Sequence, residues 1–250
     1  MLGIIVLAAN QDGEINPSIY EKIGEYTIYE HTMLNALKAE HAHKVVAVAP
    51  RSERRKITGG GFLEPRIRPE LEALKRRWLS YFGDPAETLL DSVYFAAQKN
   101  EFDDIIVIHA NCPLIPTWLI NSLSKEMQKG RGSYKAVWYN TNMDGMWICG
   151  LSYAAVADLK MGLLEAAKNP FSRQSFENIA SYVVSEGGEV SVVENEGDDE
   201  IIYSEKSLVF DSPPQQLASF TYMLEEQIKG AEINELIEDL NVEFEENEVE

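Results

Sequence analysis

The sequence has little cysteine, few basic residues and no long apolar run. Two cysteines in 250 residues are too few for a disulfide framework, so we expect a reducing, cytoplasmic compartment. No apolar run reaches the roughly 18 residues that a membrane span requires, and we expect no membrane-spanning helix. Residues 1–9 are apolar but have no basic stretch and no cleavage site. We therefore expect a first strand here and not a signal peptide.

Basic residues are outnumbered throughout most of the chain. The 22 lysines and arginines stand against 41 aspartates and glutamates, giving a formal net charge of −19. This excess argues against a nucleic-acid surface along the chain, so we expect neither nucleic acid nor a membrane as a partner. Nine of the 22 basic residues nevertheless lie within residues 51–77. Residues 229–250 are strongly acidic, and we interpret them as a C-terminal tail that follows a single domain at residues 1–228.

The basic segment 51–77 has two interpretations. It is either a flexible surface loop with a solvated helix, or an electropositive patch that docks an acidic partner, a phosphate or the chain's own acidic tail. Opposite charges at this density favour a homo-oligomer or a protein complex. The run of glycines at 59–61 is weak evidence for a phosphate loop, because the P-loop spacing is absent.

Buried strands alternate with helices in the first half of the chain. Continuous apolar runs predict strands that are covered on both faces, and capping and turn residues mark helices between them. The strands are expected at 2–9, 44–50 and 104–110, and the helices after the turn at Gly24, at 85–100 with Pro85 in the first turn, and at 116–130. This order predicts an α/β fold: a three-layer α/β/α sandwich with a mixed, mostly parallel sheet.

The second half of the chain is predicted to complete this sandwich. We expect strands at 134–140, 146–152, 189–195 and 206–212, and helices at 153–169, 175–188 and 213–230. Binding sites in such folds lie beyond the carboxyl ends of the parallel strands. That rule indicates residues 9–13, 50–55 and 110–113.

Several segments resemble one family. They are "AANQDGEINPSIYEKIGEYTIYEH" (8–31), "FGDPAETLLDSVYFAA" (82–97), "IIVIHANCPLIPTWLI" (105–120) and "LVFDSPPQQLASF" (208–220), with a weaker match in "DGMWICGLS" (144–152). They resemble cytidylyltransferases of the spore-coat polysaccharide and CMP-Kdo synthetase type, in the nucleotide-diphospho-sugar transferase superfamily. The resemblance implies that fold and a role in surface-polysaccharide biosynthesis. It implies nucleotide-binding candidates at Ala8, Ala9, Asn10, Gln11, Asp12, Gly13, Ser18 and Asn111.

The chain departs from this family where the family carries charge. The family has arginines, a lysine and acidic metal ligands at positions that here are Ala9, Glu14, Ser18, Asn111, Trp147 and Cys149. Transfer to the α-phosphate of CTP depends on cations and Mg²⁺ to neutralise developing charge. At about 4 Å and an effective dielectric constant of about 20, one charge inversion costs on the order of several kcal/mol. Mg²⁺ is therefore expected only if the family's activity is retained.

A few residues remain as candidates for the missing metal ligands and cations. Asp144 and Asp211 match acidic family positions and are weak metal candidates, because turn capping is the commoner role of an aspartate ahead of Ser-Pro or Gly. Arg51 is the leading candidate for a replacement cation at a nucleotide, with Arg54 and Arg55 beside it. Trp147 stands where the family has an acidic metal ligand, and we expect its side chain to fill the space that the metal would occupy.

Two hypotheses for function follow. The first is a divergent, catalytically impaired cytidylyltransferase-like protein that still binds a nucleotide or sugar nucleotide. The alternative is a non-catalytic structural or interaction protein that reuses the fold in a multi-subunit or viral assembly. The fold alone does not separate them.

Overall fold

The computed structural model describes residues 1–8, 15, 17–24, 26–58, 77–84, 87–129, 134–139, 145–163, 169–194, 208, 210 and 214–237. None of the helices in these ranges is both long and apolar enough to cross a bilayer.

A mixed seven-stranded sheet forms the middle layer. Its strand order is β5-β4-β1-β6-β8-β7-β9. The strands are β1 (Leu2–Leu7), β4 (Lys44–Pro50), β5 (Trp78–Gly83), β6 (Asp104–His109), β7 (Lys135–Tyr139), β8 (Ile148–Ser152) and β9 (Glu189–Val193), and a separate hairpin joins β2 (Lys22–Ile23) to β3 (Tyr26–Thr27). The first four strands of that order are parallel, and β8 runs against both of its neighbours. The mostly parallel mixed sheet is confirmed.

Helices cover both faces of the sheet. They are α1 (Ile28–Lys38), α2 (Arg54–Thr58), α3 (Leu89–Lys99), α4 (Thr117–Gln128), α5 (Tyr153–Asp158), α6 (Arg173–Ser185) and α7 (Pro214–Lys229), with 3₁₀ turns at Pro17–Tyr20 and Arg51–Glu53 and a π-helical turn at Leu159–Leu163. Strand β1 shows why its sequence is apolar throughout: Ile4 and Val6 belong to one core cluster, Ile5 and Leu7 to the other. The three-layer sandwich is confirmed.

Capping residues set where two helices begin. Thr88 caps α3: its hydroxyl accepts from the Asp91 amide at 3.1 Å, and the Asp91 carboxylate accepts from the Thr88 amide at 3.0 Å. The prediction of a helix starting at Pro85 was therefore wrong, because this capping box starts the helix at Leu89. Pro85 itself lies outside the described residues. Thr27 and Glu30 form the same capping box at α1.

Three further element predictions differ from the structure. Strand β5 was not predicted, since its residues lie directly after the basic run. The helix expected at 153–169 changes to a π turn after Asp158, and residues 164–168 are outside the described part. Of the strand expected at 206–212, the described residues Leu208 and Phe210 are not in a strand.

The chain beyond α7 returns to the core. Residues 233–237 are helical, and the side chains of Ile233, Leu236 and Ile237 are at most 3 % exposed within the main core cluster. The boundary between residues 228 and 229 stays a prediction, but the first part of the acidic segment is packed. Residues 238–250 are outside the described ranges.

Candidate functional site

Strand register brings four chain segments to one edge of the sheet. Leu7 of β1 lies opposite Val48 of β4 and His109 of β6, so these parallel strands end together. Ile108 pairs with Ile148, which places the start of the antiparallel β8 at the same edge. The strand ends that precede the loops indicated by the sequence therefore lie together at this edge.

Two candidate residues from distant segments are joined through the backbone of a third residue. The Ser18 hydroxyl donates to the Phe210 carbonyl at 3.2 Å, and the Phe210 amide donates to the Asn111 carbonyl at 3.0 Å. Both Ser18 and Asn111 are buried. The candidates Ser18 and Asn111 thus belong to a single hydrogen-bonded assembly through Phe210.

Gly145 packs against Leu208, two residues before Phe210. Gly145 has φ +91°, and a Cβ built on it would lie 2.4 Å from the Leu208 carbonyl carbon. Only glycine tolerates both this backbone conformation and this close approach. Segments around 18, 111, 145 and 210 therefore converge. Asp144 and Asp211, and the candidates Ala9, Asn10, Gln11, Asp12 and Gly13, lie outside the described residues.

Ala8 and the 110–113 turn are fixed to the sheet. The Ala8 amide donates to the Val48 carbonyl at 2.9 Å, and the Ala110 amide donates to the Leu7 carbonyl at 2.8 Å. Ala8 is buried. Backbone bonds thus extend the sheet by one residue at β1 and β6, and the candidate loops begin from a rigid base.

Two residues of α1 that were not predicted as functional also hold this turn. The Thr32 hydroxyl donates to the Ala110 carbonyl and the Asn35 amide to the Pro113 carbonyl, each at 2.8 Å. Their only sequence signal is a threonine and an asparagine three residues apart in a helix that is buried almost throughout.

Two of the described cations of residues 51–58 have local partners. Arg51, at the end of β4, forms a 2.9 Å ion pair with Asp84, and both side chains are more than 60 % exposed. An exposed pair of this kind contributes at most about 1 kcal/mol, so Arg51 is free to exchange Asp84 for a ligand anion. Lys56 pairs with Glu53 at 2.9 Å and lies 4.9 Å from the centre of the Tyr20 ring.

Arg77, the last residue of the predicted basic segment, is part of the scaffold. Its guanidinium donates to the carbonyls of Leu37 and Ala39, at 2.9 and 2.8 Å, and to that of Ala42. Burial lowers its pKa. Arg77 therefore closes the end of α1 and does not contribute to a docking patch. Residues 59–76 of the segment lie outside the described ranges.

Comparison with solved structures identifies proteins of similar fold. No protein-family model matches the sequence, and no curated protein matches it. A cytidylyltransferase from Leptospira borgpetersenii serovar Hardjo-bovis superposes with a TM-score of 0.71 at 17 % identity, covering 97 % of this chain and 94 % of that one. The chain has the cytidylyltransferase fold.

Two further structures support this cytidylyltransferase fold. A 4-diphosphocytidyl-2C-methyl-D-erythritol synthase from Anaerococcus prevotii has a TM-score of 0.55 at 11 % identity, covering 90 % of this chain and 96 % of that one. The CMP:2-keto-3-deoxy-manno-octonic acid synthetase complexed with CTP has a TM-score of 0.53 at 11 % identity, with 91 % and 98 % covered. At these identities the likeness concerns the fold alone.

Uncharged side chains fill the start of β8 in this cytidylyltransferase fold. Trp147 is buried, donates from its indole nitrogen to the Phe171 carbonyl at 2.8 Å and meets the Phe176 ring edge-to-face at 5.7 Å. Cys149 is also buried, and burial raises the pKa of its thiol well above the usual range. A protonated buried thiol is a poor nucleophile. These positions serve packing.

The described residues do not fit a magnesium site. They contain no group of three or more histidines, cysteines, aspartates or glutamates that could hold a metal ion. The Asn111 amide oxygen lies 3.7 Å from the Cys112 sulfur within the turn. Mg²⁺ prefers at least one carboxylate and near-octahedral oxygen ligands. We derive no metal-assisted step for this part of the chain.

The two histidines nearest the site are buried. His31 lies 3.1 Å through Nε2 from the Ile23 carbonyl, and burial lowers its pKa. It ties α1 to the β2–β3 hairpin, which agrees with a structural role. His109, the last residue of β6, is 1 % exposed.

Proposed function

We propose that this protein is a divergent, catalytically impaired cytidylyltransferase-like protein that binds a nucleotide or sugar nucleotide in surface-polysaccharide biosynthesis in the cytoplasm. The observation that carries the proposal is the link from Ser18 through Phe210 to Asn111. This link joins three of the segments that resemble the family, at the edge where the fold places its ligands.

The impairment follows from the side chains at this edge. Phosphoryl and nucleotidyl transfer require positive charge directed at the reacting phosphate. Ser18, Asn111 and Trp147 carry no charge, and the Ser18 hydroxyl and the Trp147 indole already donate to backbone carbonyls. Arg51 is the cation that we assign to a ligand phosphate, because its present partner is an exposed carboxylate. One exposed arginine can support binding, but it does not replace the full cationic set.

The assembly hypothesis receives less support from the described residues. Arg77, one of the nine cations at residues 51–77, is bonded to three carbonyls and is not available to a docking patch. An assembly role predicts salt-sensitive self-association that disappears when residues 238–250 are deleted. Sedimentation at two salt concentrations measures this.

Calorimetric titration of the purified chain with CTP tests the proposal, with and without Mg²⁺, and with the other three nucleotides for comparison. We expect micromolar binding of a pyrimidine nucleotide and no pyrophosphate release with acidic sugars. Arg51→Ala should weaken binding roughly fivefold, by about 1 kcal/mol. The matched control is Lys99→Ala, which removes an exposed cation at the C-terminal end of α3. Absence of binding for all four nucleotides overturns the proposal, and turnover overturns the impairment.

A further inference from the structure

Helix α1 carries two polar side chains where apolar ones would be the simpler choice. Thr32 is 1 % exposed and Asn35 is 7 % exposed. Threonine and asparagine are poor helix formers, and burial of a hydroxyl or an amide is unfavourable unless it is hydrogen-bonded. Their cost is therefore offset by the groups that they contact.

Those contacts hold both ends of one turn. The acceptor of the Thr32 hydroxyl is the carbonyl of Ala110, and that of the Asn35 side-chain amide is the carbonyl of Pro113. Asn111 lies between these two anchors. A turn held at both ends cannot rotate its middle residues without breaking a buried hydrogen bond.

The turn is hydrogen-bonded to the other residues of the site. The Asn111 carbonyl accepts from the Phe210 amide, and the Phe210 carbonyl accepts from Ser18. A displacement of the turn therefore displaces the segment at 210 and its contact with Ser18.

Asn35 also connects the turn to two further helices. Its side chain donates to the Gln227 side-chain oxygen of α7 at 3.4 Å, and its carbonyl accepts from the Thr117 hydroxyl of α4 at 3.3 Å. Hydrogen bonds of Asn35 therefore connect the turn to helices α1, α4 and α7.

We propose that Thr32 and Asn35 are positioning residues, which place the 110–113 turn so that the site accepts its nucleotide. This inference rests on the proposed nucleotide binding, and neither residue is assigned a contact with the ligand.

Three variants separate positioning from ordinary stability. Thr32→Val keeps the shape and removes the hydroxyl, whereas Thr32→Ser retains the hydroxyl. The matched control is Ser124→Ala: Ser124 is fully buried, and its hydroxyl bonds the Ile120 carbonyl of its own helix, as Thr32 also bonds Ile28. Only Thr32 has the additional bond to Ala110. The readouts are CTP affinity by calorimetry and hydrogen exchange of peptides spanning 110–115.

We expect Thr32→Val to weaken CTP binding about tenfold and to accelerate exchange at 110–115 at least fivefold, with both values restored in Thr32→Ser and unchanged in Ser124→Ala. Equal effects of Thr32→Val and Ser124→Ala would overturn the positioning role. If the wild-type chain binds none of the four nucleotides, the proposed function fails. Faster exchange at 110–115 in Thr32→Val alone then still supports the anchoring of the turn, and unchanged exchange refutes it.

Discussion

Replacement of Arg77 by alanine should destabilise the protein far more than its place in a basic surface segment suggests. The change leaves the carbonyls of Leu37, Ala39 and Ala42 without their charged donor. Hydrogen bonds to charged groups contribute about 1.5–3 kcal/mol each, and partial hydration of the helix end recovers part of the loss. We expect a decrease of about 3 kcal/mol in the free energy of unfolding.

The assay is urea denaturation followed by circular dichroism, with thermal unfolding as a second measurement. A loss of this size corresponds to roughly 6 to 12 °C in the unfolding midpoint of a chain this long. Arg51→Ala is the matched control from the same basic segment. Its ion pair with Asp84 is exposed on both sides, so its loss should cost less than about 1 kcal/mol.

The contrast between the two arginines decides the outcome. If Arg77→Ala and Arg51→Ala cost the same small amount, Arg77 does not close the end of α1, and the solvated interpretation of the segment stands. Arg77→Lys should give an intermediate loss, because an ammonium group cannot reproduce the planar fork of the guanidinium.

Three further predictions concern a turn, a histidine and a thiol. Gly145→Ala should lower the free energy of unfolding by more than about 2 kcal/mol, since its Cβ meets the Leu208 backbone, whereas Gly187→Ala, with positive φ and open space, should cost about 1 kcal/mol; urea denaturation measures both. Burial lowers the pKa of His31, so the unfolded chain takes up the proton first as pH decreases. The free energy of unfolding should therefore fall as pH decreases below about 6.5. His31→Gln should reduce this dependence of the free energy of unfolding on pH. Cys149 should resist alkylation in the native protein and react on unfolding, as mass spectrometry would report; labelling of the native protein would contradict its burial.

The central strands of the sheet were easier to predict from the sequence than its edge strand β5 and the short β2–β3 hairpin. Strand β1 and residues 105–108 of β6 are covered on both faces, so these stretches are apolar and easily identified. Strand β5 is a half-buried edge strand that follows nine basic residues, and it carries no comparable signal. The β2–β3 hairpin has two residues per strand, which is too short for any periodicity.

The site was predictable only in part. The resemblance indicated Ser18 and Asn111, and the structure brings their segments together through Phe210. The roles of Thr32, Asn35 and Arg77 were not predictable, because each bonds carbonyls 35 to 78 positions away along the chain. Side-chain bonds to remote backbone leave no spacing pattern in a sequence.

The two-point attachment of the 110–113 turn to α1 has an evolutionary consequence. The turn is held by a helix and not by the residues that would face a ligand, so exchanges among those residues leave the backbone of the turn in place. A lineage with this arrangement can replace its ligand chemistry stepwise, or abandon it, while retaining a foldable chain.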